Sequence, residues 1–166
     1  MIFTPHIIVG AAIGAKTQDL GLIVILGFLS HFIMDKLPHW DYDLPAVFRE
    51  FRKNKKIKPL LSDFVKMATD ITVGLSIVFF IIWYKNFLNF DYLPFILFGI
   101  FISLLPDIIL GFAFLVPGKT ARRINKIGEF FHYKLKDKQK EGKITFLGLA
   151  TEILVVIIFS AVLLNL

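Results

Sequence analysis

Residues 20–39 read LGLIVILGFLSHFIMDKLPH, an apolar run whose only ionisable groups, His31, Asp35, Lys36 and His39, gather at its end. A stretch this long and apolar has the length needed to cross a hydrocarbon core about 30 Å thick. Ionisable side chains at membrane depth are costly, so a group of them in one span is a functional signal by default. On a helix, positions i, i+4 and i+8 fall about 40° apart in projection, so His31, Asp35 and His39 could share one face. Imidazole and carboxylate at that spacing suit a divalent cation. The plainer reading is a helix end at the interface, where polar groups are tolerated and His39-Trp40 anchors to headgroups.

Outward from this run the chain repeats the pattern. It is 166 residues long, 56% hydrophobic and carries 19 phenylalanines. Further apolar segments occupy about 61–84, 93–116 and 144–166, and a shorter one covers 2–15. The expected fold is an all-α polytopic integral membrane protein in a single domain. It has four full transmembrane helices, a short N-terminal helix and an amphipathic cytoplasmic helix. The first segment lacks the basic start of a cleavable signal peptide and carries His6 within it. There is no cysteine, which excludes disulfides and thiolate ligands, so any metal must be held by nitrogen and oxygen.

The net charge is +6, and apart from Lys16 and Lys85 every Lys and Arg falls in or beside the end of the second segment, the loop after it and 117–143. The positive-inside rule puts both basic stretches and the N-terminus in the cytoplasm, with 16–19, 85–92 and the C-terminus outside. The 117–143 stretch opens on Pro117-Gly118 and then spaces Ile124, Ile127, Phe130, Phe131 and Leu135 helically among basic residues. It reads either as an amphipathic helix on an anionic leaflet or as an ordinary solvated helix. Nucleic acid is not expected as a partner, because no base-reading module or aromatic platform is visible.

That topology puts the intramembrane polar residues His6, His31, Asp35, His39, Asp70, Asp107 and Glu152 in the cytoplasmic half. Convergence on one layer is what a single buried site requires. Pro38 should end or kink the second helix and Pro106 the fourth, each beside a candidate ligand. His6 follows Thr4-Pro5, which suits a helix start with Thr4 as cap. Asp70 has a structural partner available in Lys66 at i−4. Glu152 follows Thr151 and reads as a site carboxyl, a neutral one, or one paired with basic loop residues. Asp107 reads as a ligand or as an acceptor for backbone amides at a helix restart. Asp41 and Asp43 read as a second ligand pair or as a solvated turn, and His132 as a surface histidine. Gly10 and Gly14 read as close helix packing. The expected metal ligands are His6, His31, Asp35, His39 and Asp107. The metal would be zinc first, with manganese, iron and magnesium as alternatives.

Three short motifs carry a resemblance. They are Thr4-Pro5-His6 with the small residues Gly10, Ala11, Ala12 and Gly14; His31-x3-Asp35-x2-Pro38-His39-x-Asp41; and Leu105-Pro106-Asp107. Together they resemble the small prokaryotic membrane-bound metal-dependent hydrolase-like proteins. More remotely, the His-x3-Asp, Pro and His are similar to part of the zinc-dependent phospholipase C and P1 nuclease signature, although the second histidine here comes early. The resemblance implies a multi-pass protein of a prokaryotic cell membrane, a divalent metal, and hydrolysis of an ester or phosphoester. Its expected substrate is a membrane lipid or lipid-linked phosphoester, attacked by water that the cation activates. Asp70 or Glu152 would be general base or a supporting carboxylate. A cation- or proton-coupled transporter and a non-enzymatic assembly factor are the alternatives from other classes.

Overall fold

The computed structural model describes residues 1–41, 57–115, 119, 123, 124, 126, 130 and 145–165. Five helices account for most of them: α1 Phe3–Thr17, α2 Leu20–Lys36, α3 Ile57–Tyr84, α4 Leu93–Leu115 and α5 Phe146–Leu164, with no strand among the described residues. Three are long and apolar enough to cross a membrane: Leu61–Tyr84, Leu93–Ala113 and Phe146–Leu164. Their outer faces are apolar, with Phe80, Trp83, Phe112 and Ile157 exposed. Such continuous apolar surface belongs against lipid, so this is a helical membrane protein.

The expected fourth full span is shorter than the sequence reading made it. Helix α2 has 17 residues and stops at Lys36 rather than His39. Leu37 precedes Pro38, and the proline ring disfavours helical backbone at the residue before it. Leu37 is accordingly extended at φ −69° and ψ 151°, its N–H closing on Met34 O at 3.1 Å. Ile23, Gly27, His31, Met34 and Asp35 form the buried stripe of α2, and its remaining faces carry exposed Leu, Ile, Val and Phe.

At the centre lies the shortest helix. Helix α1 has 15 residues, and those from Thr4 to Ala12, with Gly14 and Ala15, are all buried. It packs against each of the other four helices. An all-round apolar helix has no face to give to water and belongs inside. Small residues let the neighbours close on it. A Cβ on Gly10 would lie 2.5 Å from Gly99 O, and one on Gly14 would lie 2.1 Å from Phe95 O, so α1 and α4 cross with their backbones nearly touching. Ile7, Ile8, Ala11 and Ala15 continue this core with Val78 and Ile82 of α3, Ile96 and Ile100 of α4, and Leu163 of α5. Helix α1 ends with Gln18 in the left-handed region, and Asp19 caps α2 by accepting from Leu22 N–H at 2.8 Å. The two form a tight antiparallel hairpin.

The expected Thr4 cap is corrected. The helix begins at Phe3 with Ile2 as N-cap, and no capping bond comes from Ile2's side chain. The amides of the first turn are closed from another helix: Phe3 N–H donates to Asp70 Oδ2 at 2.5 Å and Thr4 N–H to Asp70 Oδ1 at 3.3 Å. A buried helix end needs such partners, and a carboxylate also suits the positive end of the helix dipole.

Candidate metal centre

The site follows from α1 being central. Three residues into it, His6 is fully buried at 0% exposure. Its ring stacks on that of His31, also at 0%, with centroids 4.4 Å apart and planes inclined by 27°. His31 comes from the buried stripe of α2, and Asp35 follows one turn later on the same stripe. Asp35 Oδ1 lies 3.3 Å from His6 Nε2, and Oδ2 lies 3.3 Å from His31 Nε2. From α4, Asp107 brings Oδ1 to 3.7 Å from His31 Nε2. His6, His31 and Asp107 each offer a ligand atom within 4.8 Å of the others. Two imidazoles and a carboxylate from three helices thus face one small volume, with Asp35 bridging the imidazoles.

The backbone of α4 orients His31. Its Nδ1 lies 2.9 Å from Ser103 O, and an Nδ1–H donated there leaves Nε2 with its lone pair turned toward the two carboxylates. Ser103 is one turn before Asp107, and Pro106 lies between them inside the helix. Proline has no N–H to offer Ile102 O, the carbonyl next to the one that receives His31. Gly27, one turn before His31, lets α2 approach α4 at this level, since a Cβ there would meet Ile102 Cγ2 at 2.9 Å.

Despite the nearby carboxylates, no hydrogen bond of good geometry reaches His6 Nδ1, His6 Nε2 or His31 Nε2. The amino group of Met1 donates to Asp35 Oδ1 at 2.9 Å and lies 3.8 Å from Asp41 Oδ2. The side chain of Asp107 is 25% exposed, against 0% for both histidines and 8% for Asp35, so the group has its open edge there.

The other candidate residues are not in that three-residue group. His39 is buried, but with α2 ending at Lys36 it no longer continues the His31–Asp35 face. Its Nδ1 lies 2.8 Å from Leu37 O, and it is not in the three-residue ligand group. The backbone at His39 and Trp40 packs instead on α5, where a Cβ on Gly148 would meet His39 C and Trp40 N, each at 2.7 Å. Glu152, one turn further along α5, is buried at 3%. Neither of its oxygens makes a hydrogen bond of good geometry. Asp70 sits against the first turn of α1, where the Thr4 hydroxyl also lies 2.6 Å from Oδ1 and 2.9 Å from Asp70 O. The Lys66 ammonium, offered by the sequence as a partner for Asp70, is 3.3 Å from Asp63. Asp41 is at the exposed rim, while Asp43 and His132 lie outside the described residues, as does most of 117–143.

Of that stretch, Lys119, Arg123, Lys126 and Phe130 are exposed. Lys36 ties it to α2, donating to Phe130 O and standing 4.7 Å above the Phe130 ring. The Ser103 carbonyl and the Met1 amino group are site contacts that sequence reasoning did not reach, and for Ser103 one signal was present. That signal was position, a helical turn before Asp107 and three residues before a proline.

Comparison of the chain with family models, with curated proteins and with solved structures gives no match. The functional reading therefore rests on the chemistry of the site.

Proposed function

We propose that this protein is a membrane-embedded metal-dependent hydrolase, acting on a lipid or lipid-linked phosphoester at the cytoplasmic leaflet. The observation that supports the reading is the group of His6, His31 and Asp107, in which buried imidazole nitrogens face carboxylate oxygens at 3.3–3.7 Å without a well-formed hydrogen bond. A two-histidine, one-carboxylate donor set fits zinc first, and manganese or iron next. A cation there would polarise a phosphoryl oxygen and lower the pKa of water toward neutrality.

The chain's own residues supply the rest of the chemistry. Ser103 O holds His31 in the tautomer that leaves Nε2 as a donor atom. Asp35, beside both imidazoles, is placed to complete the ligand set or receive the proton of the attacking water. Glu152 is a second buried carboxyl able to accept a proton, and Asp70 is engaged with α1. Asp107 marks the side from which a substrate reaches the group. Lys36 and the exposed Lys119, Arg123 and Lys126 supply positive charge for an anionic headgroup.

Detergent-purified protein is expected to retain about one equivalent of zinc or manganese. It should release phosphate or headgroup from phospholipid vesicles in a reaction that chelator stops and added metal restores. Protein that carries no tightly held metal would remove the proposal. Metal-dependent cation flux into proteoliposomes without hydrolysis would replace it with the transport reading.

The orientation assigned from Lys and Arg places 40–60 and 117–143 inside and the C-terminus outside. Single cysteines in this cysteine-free chain are expected to react with an impermeant maleimide in intact cells at position 88 but not at position 54. The reverse pattern would move the site to the outer leaflet.

A further inference from the structure

We infer that Asp70 is a positioning residue for His6, fixing the depth at which the buried helix α1 presents its imidazole. The inference rests on the metal-centre reading for its use, but not for its geometry. No hydrogen bond of good geometry holds either ring nitrogen of His6; besides the Asp35 carboxylate 3.3 Å from Nε2, the ring takes its place from the α1 backbone and the stack on His31. That backbone must be fixed both sideways and along its axis. Sideways, the crossing of Gly10 and Gly14 with Gly99 and Phe95 fixes it.

Along the axis Asp70 holds the first turn itself, while the Met1 amino group ahead of the helix is tied to Asp35. Asp70 lies on α3, and its carboxylate takes the Phe3 and Thr4 amides while the Thr4 hydroxyl sits against both its carboxylate and its carbonyl. Gly74, one turn on, brings α3 to α1 here, since a Cβ would meet Thr4 Cα at 3.1 Å. The helix has no acidic residue of its own in the first turn. A slip of α1 by one residue moves His6 by about 1.5 Å, whereas metal–ligand distances tolerate about 0.2 Å. A ligand on a short buried helix therefore needs an axial stop, and this carboxylate supplies one from three residues before His6.

Histidine modification by diethyl pyrocarbonate, read residue by residue by mass spectrometry on the full-length protein in detergent, tests this without any metal. In the wild type His6 and His31 should be protected. In Asp70→Ala the reactivity of His6 should rise roughly fivefold to tenfold, as loss of a helix cap shifts a local opening equilibrium. His31, held by Ser103 O, should stay protected. Asp70→Asn keeps one acceptor oxygen and should restore most of the His6 protection. Thr4→Val, a milder change, should give an intermediate rise and decides the matter if Asp70→Ala fails to fold. Unchanged His6 reactivity in the folded variants overturns the inference. So does a joint rise at His6, His31 and His39, which would mean general loosening. Wild-type protein without metal but with this modification pattern would remove the hydrolase and leave the clamp standing. Metal-loaded wild type without the pattern would do the reverse.

Discussion

Replacing His31 by alanine is expected to strip the protein of divalent cation while leaving it inserted in the membrane. His31 is the hub of the group: its Nε2 lies 3.3 Å from Asp35 and 3.7 Å from Asp107, and its ring stacks on His6. Loss of a supporting partner alone typically costs 10–100-fold in metal affinity, so loss of the hub should cost at least about 100-fold. Insertion depends on the apolar spans, which the substitution does not touch. His6→Ala and Asp107→Ala should behave alike. His39→Ala is the discriminating comparison, because His39 lies past the end of α2 and outside the ligand group. It should keep cation binding within a few-fold of wild type, a smaller loss than even a supporting partner gives. Metal analysis and calorimetric titration of the four purified variants would decide. Normal metal content in His31→Ala, or loss in His39→Ala with His6→Ala unaffected, would shift the site to the end of α2.

Gly14→Ala is expected to be among the most destabilising single-methyl additions in the chain. The new Cβ would sit 2.1 Å from Phe95 O and 2.7 Å from Phe95 C, with Ile96 Cα at 2.9 Å. These are backbone atoms of a packed helix, so no rotamer change relieves them, and α1 and α4 must separate. Overpacking a core typically costs about 1–3 kcal/mol, and a clash with backbone belongs at or above the top of that range. Gly111→Ala on the same helix α4 is the control, since a Cβ there meets nothing within 4 Å. It should be neutral or slightly stabilising, because alanine is the better helix former by up to about 1 kcal/mol. Thermal unfolding in detergent should show a large drop in midpoint for Gly14→Ala and little change for Gly111→Ala. Equal midpoints would mean that the α1–α4 crossing is looser than this geometry.

Much of the fold could be read from local chemistry. Apolar runs of spanning length marked α3, α4 and α5, and the i, i+4 spacing of His31 and Asp35 put both on one stripe of α2. Asp107 stood out because a carboxylate after a proline inside an apolar run has no local partner. The end of α2 was also written locally, in Leu37-Pro38, and the proline rule outweighs the i+8 spacing that put His39 on one helical face with His31 and Asp35.

The sequence alone therefore determined the helices, their apolar surfaces and the residue types able to bind a cation, because these depend on neighbours within a turn or two. Tertiary structure decided the rest. In the sequence α1 reads only as a short N-terminal helix with small residues for close packing, yet it is the centre of the bundle, because Gly10 and Gly14 admit the backbone of α4, a fit set only when both helices are in place. Asp70 reads there as a catalytic group or a partner for Lys66. Its carboxylate also accepts from the α1 amides, a pairing that spans 66 and 67 residues of chain and that no local spacing encodes. His6 met His31, and His31 met the Ser103 carbonyl, for the same reason: a buried polar group takes its partner from whichever helix packing brings within reach, and packing is a property of the whole chain.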